Sequence, residues 1–272
     1  MSLNKSELRL LYKTPTHTYI APHPALAAYI AHYTFCFQTL SNDAALPERL
    51  TLIPDASGCI VSSFNGRHLT NCFWGPTTKT VTVYGDIDSQ PLRFFVEFLP
   101  CGAHGLLGLN LKEFTNQRED LSLVHPTVDR RIQESFEYSR DITHLARSLD
   151  TLFLELLSGI SQTPSATPII TNLSDFPSLK SLSEKAGYSE RHLQRLFTET
   201  LGIPYKTYIR LTRVNLALKK LEAGPLSFTN LAHTLGYYDQ PHFIHDFKAV
   251  CDETPTGYIE RMSDFYNEAF KF

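Results

Sequence analysis

Two stretches decide how this chain is read: Ser178 to Phe197, SLKSLSEKAGYSERHLQRLF, and Ser227 to Phe247, SFTNLAHTLGYYDQPHFIHDF. They are one pattern written twice. Gly187 matches Gly236, Leu193 matches Phe243, Phe197 matches Phe247 and Pro204 matches Pro255, the offset growing from 49 to 51 as single residues enter. Each copy opens with a short helical period (Leu179, Leu182, Ala186; then Phe228, Leu231, Ala232, Leu235) that a glycine stops. Glycine closes a helix cheaply because it takes the left-handed conformation without a Cβ clash. A second helix is expected at once, with Ser189 and Asp239 as N-caps whose side-chain oxygens meet the free amides of the first turn.

The first of these second helices divides into two faces. Leu193, Leu196 and Phe197 form an apolar stripe, and Arg191, Gln194 and Arg195 repeat the same spacing on the other side. Arginine forks to guanine O6 and N7, and glutamine pairs with adenine N6 and N7. A major groove admits one helix, so these are the side chains that direct base readout uses. In a single helix the same pattern describes any solvated polar face. Its place in a duplicated helix-turn-helix favours the reading head.

Over roughly the last 95 residues the chain resembles the AraC-type transcriptional regulators, whose module carries two such units joined by a helix. The resemblance rests on Gly187-Tyr188-Ser189, Leu193, Arg195, Phe197 and Gly202, then on Ala232, Gly236-Tyr237, Phe243, Phe247-Lys248 and Pro255. Tyr208-Ile209-Arg210, Arg213 and Ala217 resemble the family's linker helix. It implies a DNA-binding domain that sets two recognition helices in successive major grooves on one face of the duplex. Carried over by position, the candidates for DNA contact are Ser189, Arg191, His192, Gln194, Arg195, Lys206, Arg210 and Arg213, with Gln240, His242, His245 and Lys248 in the second unit.

That second unit departs from the pattern. Pro241, Ile244 and His245 stand where the first has Arg191, Gln194 and Arg195. A histidine makes at best one donor contact where an arginine makes a fork. Gln240, His242 and His245 either touch bases and phosphates or only cap and position the helix; the residues leave both readings open. Charge divides in the same way. Lys180 to Lys220 holds nine Lys/Arg against Glu184, Glu190 and Glu199, whereas from Pro225 onward Lys248, Arg261 and Lys271 face seven acids. Phosphate attraction supplies most non-specific affinity, so the first unit and the linker helix are expected to dominate it.

The rest of the chain sets broader bounds. Its 272 residues, 42% hydrophobic and 19% charged, suffice for two globular domains and are too apolar for a disordered chain. A net charge of −3 argues against a protein that coats nucleic acid generally. Met1 to Tyr12 has no sustained apolar stretch and no long apolar run follows, so the expected location is the cytoplasm, nucleoid-associated when on DNA, with no membrane contact. Cys36, Cys59, Cys72, Cys101 and Cys251 are scattered without a C-x-x-C pair, which fits reduced thiols; no structural zinc and no cofactor is expected.

Ser158 to Ser178 is rich in Ser, Thr and Pro and reads as a connector, with a short helix expected over 168–175. This divides the chain into a β-rich regulatory and dimerisation domain (1–160), a linker (161–170) and the double helix-turn-helix domain (171–272). Residues 12–111 read as strands, clearest at 51–53, 59–61, 79–84 and 92–98, separated by Pro-Asp, Asn-Gly, Gly-Pro and Gly-Asp turns. From 128 to 157 the period turns helical and predicts two helices. The fold class is therefore α+β: a β-barrel or sandwich with a helical pair, then an all-α module.

Regulators of this type commonly bind an effector and dimerise through such an amino-terminal domain. Ile53-Pro54-Asp55, Trp74-Gly75-Pro76 and the segment from Phe98 to Gly108 resemble a subgroup with no assigned ligand. Asp55, Trp74, Asp86 and Glu97 are the candidates to line a small-molecule pocket, although acids in turns more often cap backbone amides. No His-x-His pair offers a cupin-type metal set, and His17, His23, His32 and the lone Cys101/His104 pair are read as structural.

Three functions compete. The leading one is a non-enzymatic regulator of promoter DNA, a homodimer modulated by a small-molecule effector, with RNA polymerase as a further contact. A second is an alkyl-transfer repair enzyme sharing the same module; it would need an activated cysteine, and Leu99-Pro100-Cys101-Gly102 lacks the adjacent histidine. A third is a ligand-independent interaction protein.

Overall fold

Alternating apolar residues build the amino-terminal half. A computed structural model of the chain describes residues 9–37, 49–84, 90–159, 169, 177–224, 226–262 and 265–266. Strands β1 (Leu10–Lys13), β2 (His17–Ile20), β3 (Ile30–Phe37), β5 (Cys59–Phe64), β6 (Leu69–Trp74), β8 (Leu92–Phe98) and β9 (Arg118–Asp120) form an antiparallel sheet in the order β1-β2-β3-β8-β5-β6-β9. A second sheet holds β4 (Arg49–Leu52) between β7 (Val81–Tyr84) and β10 (Phe265–Tyr266), the last parallel to it.

Register assigns the faces of the larger sheet. Tyr33, Phe35, Ile60, Phe73, Phe94, Val96 and Phe98 share one face and one apolar core with helices α3 (Pro126–Glu137) and α4 (Ile142–Gly159). These are the two helices that the period over 128–157 predicts. Asp150 of α4 ties them to the sheet, accepting bonds from Tyr33 Oη at 3.1 Å and from the His23 amide at 2.8 Å and pairing with Arg9. Period 2 puts Trp74, Cys59, Glu97 and His32 on the opposite face, in one row across β6, β5, β8 and β3.

The reading of 12–111 as strands needs one correction. Helix α1 (Gly102–Leu107) interrupts it, followed by a 3-10 turn (Leu111–Phe114) and, before α3, the short α2 (Leu121–Val124). Ala103, Leu106 and Leu107 recur at helical spacing and are buried, and Cys101, in the left-handed conformation at φ 66°, turns the chain out of β8 into this helix.

The carboxy-terminal half is helical up to the short strand β10: α5 (Leu179–Ala186), α6 (Glu190–Leu201), α7 (Tyr205–Glu222), α8 (Phe228–Thr234), α9 (Gln240–Cys251) and α10 (Pro255–Glu260). The expected linker at 161–170 and the helix at 168–175 lie outside the described residues except for Ile169. Both units use the predicted caps. The Ser189 hydroxyl accepts from the His192 amide at 3.2 Å and the Asp239 carboxylate from the His242 amide at 2.8 Å. Leu193, Phe197, Phe243 and Phe247 are fully buried, packed with the apolar side of α7.

The β region and the helical module meet along a defined seam. Ile53, Ala56 and Cys101 belong to the same apolar cluster as α6 and α7. Thr115 Oγ1 donates to the Gly202 carbonyl at 2.7 Å, and the fully buried Asn215 Nδ2 of α7 donates to the Pro54 carbonyl at 3.2 Å. Cys101 Sγ lies 3.5 Å from Thr200 Oγ1 near the end of α6. Gly202 has φ 79°, and a methyl group there would stand 2.7 Å from the Leu111 carbonyl oxygen. The seam thus holds α6 by its last turn.

Candidate nucleic-acid interface

Helix α6 takes the hydrogen bonds of that seam at its last turn and cap, at Thr200 and Gly202. Its apolar stripe is buried, while Arg191 and Arg195 are exposed and Gln194 is half-buried between them. Among the described residues neither arginine makes an ion pair, so both forks are available. His192 is partly covered by Tyr188, the ring centroids 4.7 Å apart. Ser189 spends its hydroxyl on the cap, which fixes where α6 starts and therefore where Arg191, Gln194 and Arg195 fall along it. The exposed Lys206 opens α7 and extends the basic surface.

Arg210 and Arg213 sit elsewhere. Arg210 Nε lies 3.0 Å from Asp246 Oδ1, an ion pair linking α7 to α9, and the Arg213 guanidinium covers the Tyr237 ring at 5.2 Å. Both arginines brace the second unit against the linker helix. Burial, and after it the charge of Asp246, pushes the Tyr237 phenol well above its usual range, so this ring stays neutral beneath Arg213.

On α9, His242, His245 and Lys248 are exposed. Gln240 Oε1 accepts from Thr229 Oγ1 at 2.8 Å, an anchor to α8. His242 Nε2 and His245 Nδ1 stand 3.9 and 3.6 Å from the Asp246 carboxylate. Asp246 is the residue that the sequence reading did not single out. Its i,i+4 relation to His242 is legible in the sequence, but its pairing with Arg210 needs the packing of α7 on α9.

The amino-terminal candidates do not all converge. Trp74 and Glu97 share the row opposite the helices, with β5 between their strands, and Glu97 is 8% exposed. The Trp74 ring carries Arg118 at 5.9 Å. Asp55 lies in the loop after β4, where its carboxylate accepts from the Ser57 amide at 2.9 Å, the turn-capping role open to any such acid. Asp86 lies outside the described residues. No described helix is long and apolar enough to cross a membrane.

Similarity to known proteins follows these two halves. A helix-turn-helix domain family matches residues 182–261, and a domain of unknown function, DUF6597, matches residues 18–120. The transcriptional activator AarP of Providencia stuartii is 31% identical over 132 residues, which span 48% of this chain and 87% of AarP. An uncharacterized helix-turn-helix regulator of Staphylococcus aureus strain MSSA476 is 35% identical over 81 residues, and there the match spans 30% of this chain and only 11% of the relative. Among solved structures, ToxT of Vibrio cholerae aligns over 93% of this chain and 95% of its own at 10% identity, with a TM-score of 0.39. The duplicated capped helices, the match of the helix-turn-helix family to them and the near-complete coverage of AarP agree: the chain belongs to the AraC-type family of DNA-binding transcription regulators.

Proposed function

We propose that the protein reads promoter DNA mainly through α6, with Arg191, Gln194 and Arg195 against base edges, and uses α9 chiefly as an anchor. The observation that carries this is the contrast between the two recognition helices. On α6 the exposed forks make no ion pair among the described residues, whereas the second unit lacks matching arginines and Arg210 beside it is held by Asp246. Arg213, carried over as a DNA contact by resemblance, is read here as a brace. Lys206 and Lys248 remain candidates for phosphate, and His192, Gln240, His242 and His245 for secondary contacts.

The β region is proposed as the regulatory half, acting in the cytoplasm as a homodimer that responds to a small-molecule effector, with RNA polymerase as a further contact. Support comes from connectivity. β8 carries Glu97 on the face opposite the helices, and within a few residues the chain reaches Cys101, which meets Thr200 of α6. A ligand that shifts β8 would move the end of the reading helix through that contact, a population shift between two seatings of α6. The regulator works without catalysis of its own. Cys101, which alkyl transfer would have to use, is fully buried between the halves and closed to a substrate base.

In vitro selection of duplexes from a random library, with the wild-type chain and with Arg195→Ala, tests the reading. A defined motif for the wild type that loses one position in the variant supports it. Identical motifs for both would overturn it.

A further inference from the structure

The two units differ in their turns as well as in their recognition helices. Between Gly187 and the cap Ser189 stands one residue, Tyr188; between Gly236 and the cap Asp239 stand two, Tyr237 and Tyr238. In the first unit the single tyrosine does both jobs, half exposed at 47% and lying on His192. The inserted residue separates those jobs in the second. Tyr237 goes inside at 3% exposure, under Arg213 and edge-on to Phe243, and Tyr238 is left 88% exposed, the most exposed of the large apolar side chains described. The Asp239 cap fixes the backbone immediately after it, so Tyr238 stands at the leading end of α9.

We propose that Tyr238 is a DNA contact of the second unit, its ring against a backbone sugar and its hydroxyl donating to a phosphate at the edge of the groove that α9 enters. This rests on the reading of the module as a DNA-binding double unit. Tyrosine hydroxyls and helix N-termini are regular donors to phosphate, and such contacts position a protein without specifying sequence. The local charge makes a non-ionic contact the fitting one. Arg210 is neutralised by Asp246, and the stretch from Pro225 onward carries seven acids against three bases, so ionic attraction to the duplex is weak there. An aromatic ring offered to water at this exposure gains by covering a sugar, and its polar tip keeps a partner. His242 and His245, in the first half of α9, are exposed as well.

The test uses full-length protein and fluorescence anisotropy on two labelled duplexes, one recovered by in vitro selection and one of unrelated sequence. Tyr238→Ala is expected to bind both about tenfold more weakly with the same preference between them, and Tyr238→Phe to fall between Ala and wild type. Thermal midpoints should not move, since the side chain is exposed almost throughout. Wild-type affinity for Tyr238→Ala overturns the proposal, as does a loss confined to the selected duplex, which would make Tyr238 a reader of bases. Arg195→Ala in parallel separates the two ideas. If it loses its preference while Tyr238→Ala binds normally, the module still reads DNA and only the Tyr238 contact fails; if neither variant differs from wild type, the DNA reading itself fails.

Discussion

Both helix-turn-helix units cap the recognition helix with a side-chain oxygen and bury matched apolar residues beneath it, yet they end that helix differently. α6 stops at Gly202 with φ 79°, and α9 at Asp252 with φ 55°. Both are left-handed caps, so the helix geometry asks for the same backbone in each place. The neighbours differ. At Gly202 the β region presses so close that a Cβ would meet the Leu111 carbonyl oxygen at 2.7 Å and the Thr115 hydroxyl at 2.8 Å, and that hydroxyl also donates to the Gly202 carbonyl. Asp252 is exposed, so a side chain is tolerated despite the strain of its φ. A duplicated fold thus retains what its backbone requires and lets each copy's surroundings choose the residue. The copy with the free arginine forks is the one held by the β region.

The most severe test of that division removes a fork. Arg195→Ala should lose about a hundredfold in affinity for a selected duplex, near the upper range for a bidentate guanine contact, and leave binding to unrelated DNA much less affected. His245→Ala, at the matched position, should lose less than about threefold, since an imidazole cannot make the two-pronged contact of a guanidinium. Gel-shift titration of both variants decides the matter; equal losses would show that the units read alike.

The next test addresses the seam. Gly202→Ala adds left-handed strain and a clash with backbone that cannot rotate away, and should lower unfolding stability by about 2 kcal/mol in chemical denaturation. Thr115→Val leaves the Gly202 carbonyl without its partner and should cost about 1 kcal/mol. A Gly202→Ala variant as stable as wild type would mean that the β region does not rest on α6 in solution.

Which parts of this arrangement could be read in the sequence follows from range. Caps, glycine turns and the apolar stripe of α6 depend on neighbours within one turn, and Ser189, Asp239, Gly187 and Gly236 all stand where the pattern puts them. The helical pair after the strands was legible for the same reason. Helix α1 was not, because it is one short turn sequence whose start is set by Cys101 in an uncommon conformation. Contacts across the fold were equally closed to a local reading. Arg210 looks like one more phosphate ligand until α9 brings Asp246 to it, and Asp55 looks like a pocket acid until its own turn claims the carboxylate. Residue type and spacing state what a side chain can do; packing decides whether it is free to do it.

Asp246 offers a smaller and sharper probe of the asymmetry. Asp246→Asn keeps the shape of the side chain and removes its charge, releasing Arg210, a third of whose side chain is already exposed. Non-specific affinity should rise about threefold, and the dependence of binding on salt should steepen by about one unit if the freed guanidinium reaches a phosphate. The lost ion pair should cost about 1 kcal/mol, because Arg210 is partly exposed and regains water when the pair is broken. Unchanged salt dependence would show that Arg210 braces α9 whether or not the acid is charged.

The smallest effect belongs to the other cap. In Asp252→Gly two terms oppose each other. Glycine relieves roughly 1 kcal/mol or more of left-handed strain at φ 55°, and it raises the entropy of the unfolded chain by a comparable but lesser amount. The net expectation is a gain of about 0.5 kcal/mol, opposite in sign to Gly202→Ala, with the cap bond from the Asp252 amide to the Lys248 carbonyl preserved. Denaturant midpoints of the two variants, measured side by side, put the comparison on one scale. A loss in Asp252→Gly would mean that the aspartate side chain contributes to folding, and that the glycine at the end of α6 cannot be ascribed to the β region alone.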